Sequence, residues 1–132
     1  MPRPSVGPAA ATKTINMKGH VHQLRFRVTD RDIFEAVRSG AKTVETRAAT
    51  VKYMDIAAGD ELVFRCGRDS FRKKVARVRQ FGTITGLLRR YRPRQIHPAA
   101  ATAADLKAMY AGFPGYREKI RKFGLMAMEL GE

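Results

Sequence analysis

Ser39-Gly40-Ala41-Lys42-Thr43-Val44-Glu45-Thr46-Arg47 is the stretch on which the reading of this chain turns. Residues 42–47 alternate as a strand does, with Thr43, Glu45 and Arg47 on one face and Val44 and Thr46 on the other. Gly40 stands where a left-handed C-cap closes a helix. The residues before it supply that helix, with Thr29 or Asp30 as the cap and Ile33, Phe34 and Val37 as the apolar stripe. A carboxylate with two cations close by is unusual on so short a strand. Glu45 and Arg47 share a face at i, i+2, and Lys42 enters from the turn. In a sheltered cleft the two cations would keep Glu45 ionised and ready to accept protons from a ligand's amino group, while Lys42 and Arg47 held a phosphate. By residue type alone, an exposed cross-strand ion pair explains the same letters more economically.

Outward from this stretch the chain alternates short strands and short helices. Residues 20–28 place His22, Leu24, Phe26 and Val28 on one face and Gln23, Arg25 and Arg27 on the other, the pattern of a half-buried strand. Residues 48–58 read as a loop with a short turn. Gly59-Asp60 turns into a strand over 61–66, residues 67–70 form a hairpin loop, and residues 71–81 return as a long strand. Residues 83–91 predict a helix with Ile84, Leu87 and Leu88 inward. Pro93 and Pro98 bound a loop. Thr102 and Asp105 make a capping box for a helix through Tyr110, residues 114–122 form another closed by Gly124, and residues 125–130 are the last strand. The sum is an α+β chain of about five mostly antiparallel strands with short flanking helices, which fits a small closed or nearly closed barrel. Residues 1–18, with three prolines, an Ala run and no period, are expected to be a flexible basic tail that orders only against a partner. One domain over 19–132 follows.

Twenty-six Lys and Arg against twelve Asp and Glu give a formal charge of +14. That excess predicts attraction to polyanions, nucleic acid before an anionic membrane surface. No segment approaches the ~20 apolar residues that span a bilayer, and residues 1–18 lack the apolar core of a secretory signal. Cys66 is the only cysteine, which excludes an intrachain disulfide and a four-cysteine zinc site. A cytoplasmic setting is the simplest inference. Eleven of the cations lie between residues 65 and 94, opposed there by Asp69 alone. Arg65, Arg68, Arg72, Lys73, Lys74, Arg77, Arg79, Arg89 and Arg90 are the candidate phosphate contacts, since the guanidinium fork matches two oxygens at once. Tyr91 is interleaved with them and is a candidate for stacking on an unpaired base. Tyr116, in the turn 113–116, either presents its ring to a base or pins the last helix to the barrel. His20, His22 and His97 form no metal-ligand cluster, and neither metal nor cofactor is expected. His22 is a possible neighbour of the cleft, and Cys66 reads as a small buried hydrophobe.

Gly40, Lys42, Glu45 and Arg47 stand as G-x-K-x-x-E-x-R, and in this the chain resembles the ASCH (activating-signal-cointegrator homology) family. Residues 56–64, Ile-Ala-Ala-Gly-Asp-Glu-Leu-Val-Phe, look like the family's I-x-x-G-D stretch. Residues 75–88 are similar to its strand and following helix, and residues 116–130, with Gly124 and Glu129, to its closing helix, Gly and strand. The resemblance covers about residues 21–130, with four features in the family's order. It implies a PUA-like β-barrel, a ligand cleft lined by Gly40, Lys42, Glu45 and Arg47, and RNA as partner, with the ribosome or free nucleotides and nucleosides as further candidates.

Some members of the family resemble enzymes, either amidohydrolases of acetylated cytidine nucleosides or ribonucleases. The amidohydrolase pattern places a Thr where this chain has Glu45 and a carboxylate after the long strand. Residues 82–104 contain no Asp or Glu, and Thr43 and Thr46 stand at the wrong spacing. The expected nucleophile, base and orienting group are therefore not assembled. An RNA-binding module is the leading reading, and a hydrolase using Lys42 and Glu45 is the alternative.

Overall fold

The computed structural model describes residues 11–12 and 19–131. The predicted tail, residues 1–18, lies outside the described residues except for the two-residue strand β1 (Ala11–Thr12). The elements that follow are β2 (Val21–Phe26), α1 (Arg31–Ser39), β3 (Val44–Ala48), β4 (Glu61–Cys66), β5 (Asp69–Phe81), α2 (Ile84–Arg90), α3 (Pro93–Ile96), α4 (Ala103–Ala111), α5 (Tyr116–Phe123) and β6 (Leu125–Gly131). Five strands form a mixed sheet in the order β2-β4-β5-β6-β3, and β1 pairs with β5. Only β2 and β4 run parallel. The sheet curls into a half-barrel, so the predicted class of small α+β barrel holds. Its opening lies between the two edge strands, β2 and β3.

Two apolar clusters explain the curl. Leu24, Leu62, Phe64, Val75, Val78, Met126 and Met128 fill the concave side, where Phe34 and Val37 of α1 and Ile56 of the loop cap them. Phe81, Leu125 and Ala127 project from the opposite side of the same strands and pack under Leu87, Ile96, Leu106, Tyr110 and Ile120 of the helices α2–α5. A register shift between Val75 and Arg77 keeps Val75 and Val78 on the same side of β5, and Phe81, three residues past Val78, faces the other cluster.

Gly40 takes φ 86° and closes α1 by donating to the Val37 carbonyl, as the sequence predicts. Gly124 carries the tighter constraint. Its φ is 75°, and a Cβ placed there would stand 2.5 Å from the Phe81 carbonyl oxygen. The close approach lets α5 turn directly into β6.

Four local expectations are corrected. Asp30 occupies the cap position of α1 but does not cap it, because its carboxylate accepts from Arg27 Nε at 2.7 Å instead. Val28 leaves the strand for a 3-10 turn and is exposed. Between Pro93 and Pro98 the chain forms a one-turn helix rather than a loop. Pro93 occupies its first position, and the Gln95 side chain reaches back to the Arg92 N–H at 2.8 Å. His22 faces Asp60 at 2.7 Å and not the cleft. Among the described residues no helix is long and apolar enough to cross a membrane.

Candidate functional site

Lys42 stands where three elements converge. Its N–H donates to the Ala36 carbonyl at the end of α1, and its neighbour Thr43 donates to Gln95 of α3. The side chain is thereby walled in, with 3% exposure, and its ammonium donates to the Ile96 carbonyl at 2.5 Å. Glu45, equally buried, is the second residue of β3, and Lys42 Nζ is 3.1 Å from Glu45 Oε1. Oε1 also accepts from the Thr46 N–H at 3.0 Å, and Oε2 faces Arg47 at 3.3 Å.

Burial alone would raise the Glu45 carboxyl. Lys42 and Arg47 beside it, together with the Thr46 N–H, outweigh that and hold it below the usual carboxylate range. Burial likewise works against the charge of Arg47, and Glu45 again prevails. The site therefore holds the Glu45 carboxylate buried between the Lys42 side chain and the Arg47 guanidinium. Hydrogen-bond capacity remains. A carboxylate offers about four lone-pair positions, of which three are taken here, and an ammonium has three N–H groups, of which two are taken.

Arg47 reaches across the opening of the half-barrel. It donates to the backbone carbonyl of Arg25 on β2 at 3.4 and 3.5 Å, and its plane lies 4.9 Å from the Phe26 ring centroid and 5.5 Å from that of Tyr53. Cation–π contact on two rings fixes the guanidinium without consuming all of its donors.

These groups line a cavity of about 200 Å³ between β2, β3 and the α4–α5 region. This is smaller than the roughly 300–1,000 Å³ of drug-sized sites and suits one small planar group. Tyr110 and Tyr116 wall one side, their rings 5° from parallel with centroids 6.0 Å apart, and Phe113 meets Tyr116 edge-on at 5.5 Å. The Tyr116 hydroxyl accepts from the Ala48 N–H at 2.9 Å, and the Tyr110 hydroxyl bonds Thr46 Oγ1. Tyr116 thus pins α5 to β3, and part of its ring lines the cavity. Burial raises both phenols, so they stay neutral donors or acceptors.

Of the predicted cleft residues, Lys42, Glu45 and Arg47 come together, whereas Gly40 shapes the turn and does not line the cavity. Sequence reasoning missed Arg25, Arg27, Tyr110, Phe113 and Lys119 at its walls and rim. The alternation of residues 20–28 places Arg25 and Arg27 outside the barrel, but it does not reveal which strand lies opposite.

The predicted basic face is divided. Arg65 and Arg68 lie at the β4–β5 turn, exposed. Arg72 and Lys74 follow on the outer side of β5, with Arg72 bonded to Glu61. Lys73 shares a pleat side with Leu62 and is half-buried. Arg77 and Arg79 lie past the bulge, Arg79 beside Glu129 at 3.5 Å, and Arg89 and Arg90 end α2. Tyr91 is corrected as a stacking candidate. It is 5% exposed, edge-on to Phe81, and its hydroxyl donates to Glu129 at 2.7 Å. Burial and that carboxylate push its phenol up. Cys66 is fully buried.

No family model matches the chain, and no curated protein matches it. Solved structures do. A crystal structure of the hypothetical protein PH0355 aligns with a TM-score of 0.66 at 20% identity, covering 84% of this chain and 96% of that one. A solution NMR structure of protein PF0455 from Pyrococcus furiosus, a structural genomics target, aligns at 0.65 and 20% identity, covering 83% and 94%. At this identity the likeness speaks for the fold alone. The alignments span most of both proteins, and the chain shares their fold.

Proposed function

We propose that this chain is an RNA-binding module of the ASCH type, in which the cavity reads one unpaired base and the surrounding cations hold the phosphates. The observation that carries the reading is the ionised Glu45, buried between Lys42 and Arg47 at the wall of a base-sized cavity. A base edge mixes donors and acceptors. The open acceptor position on Glu45 and the remaining N–H of Lys42 answer both within a few ångströms, and the Tyr116 and Phe113 rings offer faces to stack on. Buried charges in a domain this small cost desolvation that an apolar trio would avoid. The presence of all three at the cavity wall therefore favours a ligand-facing role over a structural one. The charge of +14 supports affinity for a polyanion that falls as salt rises.

The hydrolase alternative draws less support. A general base must accept a proton, and the Lys42 ammonium is engaged by the Ile96 carbonyl and Glu45. The test is Glu45→Gln measured against an RNA panel by fluorescence anisotropy. Selectivity among sequences is expected to collapse while most non-specific affinity remains. Equal loss of both would remove the division of labour between cavity and surface. Product formation from an RNA or acetylated-nucleoside panel, abolished by Lys42→Ala in a folded protein, would instead favour the hydrolase.

A further inference from the structure

The cavity does not end at its rim. An open hollow of about 480 Å³, lined by Gln23, Arg25, Phe26, Arg65 and Gly67, adjoins it and shares Arg25 and Phe26 with it. Arg25 and Arg65 are register partners on the parallel strands β2 and β4, so their side chains leave the same face of the sheet from neighbouring backbones. Both are exposed, and among the described residues neither has a carboxylate at ion-pair distance. Many other arginines of this fold have one. Arg27 pairs with Asp30, Arg31 with Asp69, Arg72 with Glu61 and Arg79 with Glu129. Two like charges side by side disfavour the sheet, so neither is placed there to stabilise the β2–β4 pair.

We propose that Arg25 and Arg65 form a phosphodiester subsite, holding the phosphate that joins the base in the cavity to its neighbour. The proposal rests on the cavity being a base site. Two guanidinium forks converging on one hollow match the paired oxygens of a phosphodiester. Gln23 adds an amide donor. Gly67, at φ 57° with nothing within 4 Å of a Cβ position, leaves the approach unobstructed. The polynucleotide then leaves the cavity over the β2–β4 edge and the β4–β5 turn, where Arg68 is exposed, and not over the Arg77–Arg79 half of β5.

The test is isothermal titration calorimetry of the full chain with each common ribonucleoside, its homotrinucleotide, and inorganic phosphate. The readout is the ratio of trinucleotide to nucleoside affinity. In the wild type this ratio is expected to be roughly tenfold or more. Arg65→Gln should bring it close to unity, whereas Arg121→Gln, which removes the same charge from the exposed side of α5, should leave it within about twofold. A ratio unchanged by Arg65→Gln, with nucleosides still binding, overturns the subsite and spares the base-site reading. Inorganic phosphate binding as tightly as the trinucleotide also overturns it, in favour of a free-phosphate site. Failure of every nucleoside and trinucleotide to bind the wild type overturns both.

Discussion

Arg47 donates to the backbone carbonyl of Arg25, so a single guanidinium joins β3 to β2, the two edge strands that no hydrogen-bonded ladder connects. The residue that helps form the cavity is therefore also the clasp of the half-barrel. The wall of the cavity and the closure of the barrel depend on the same side chain.

Arg47→Lys keeps the charge but loses the planar fork that reaches Arg25, Glu45 and the Phe26 and Tyr53 rings together. Amide hydrogen exchange along residues 21–26 should speed up in this variant, while exchange in residues 125–130, held by ladders on both sides, should not change. Equal protection of residues 21–26 in variant and wild type would show that the clasp is not holding the edge.

Glu45 links the site to pH. Its folded value lies below the ordinary 4.5, so its contribution to stability is complete above that value and is lost as pH falls through the lower, folded one. Asp60 adds in the same direction. It is fully buried, and although burial alone would raise it, the N–H groups of His20 and Ala57 and the His22 ring hold it below 3.8. Urea midpoints should thus decline gently below about pH 6.5, where burial and Lys42 make the His97 ring harder to protonate in the folded chain, and fall steeply below about 4.5 as the depressed carboxylates take up protons. In Glu45→Gln the steep fall should be shallower, because one of the depressed carboxylates is gone while Asp60, Asp69 and Asp105 remain.

Asp60→Ala removes the acceptor for two backbone N–H groups and the His22 ring at once. Each buried group left without a partner costs about 1–3 kcal/mol, so a loss of about 3 kcal/mol is expected in chemical denaturation. Asp60→Asn retains one acceptor oxygen and should cost less.

Gly124→Ala places a methyl group 2.5 Å from the Phe81 carbonyl and strains a left-handed backbone. A loss of about 2 kcal/mol or more is expected. Gly40→Ala, where a Cβ meets nothing within 4 Å, carries the backbone strain alone and should cost about half as much.

The strands were legible because period-two alternation and glycine turns are local signals, whereas their order in the sheet and the parallel β2–β4 pair, which rest on long-range contacts, were not. The α1 stripe, the Thr102–Asp105 capping box and the hairpin at residues 67–70 needed no tertiary information. Burial of the Lys42–Glu45–Arg47 group was not legible in the same way. It depends on α3, a single turn between two prolines that reads as loop, whose Ile96 carbonyl accepts from Lys42. Tyr91 was misplaced for a related reason. Its neighbours in sequence are cations, but its neighbours in space are Phe81 and Glu129. Charge density along the chain also overstated the basic face, since β5 and α2 distribute those residues over several surfaces.

The most direct test of the central claim is a fluorescence-anisotropy titration of the wild-type chain with an RNA bearing unpaired bases and with duplex DNA of matched length, at low and high salt. A cavity that reads a base predicts RNA preferred by more than roughly tenfold, with the preference surviving added salt while both affinities weaken. Equal affinities that fade together as salt rises would contradict it, leaving the +14 charge as a general polyanion surface.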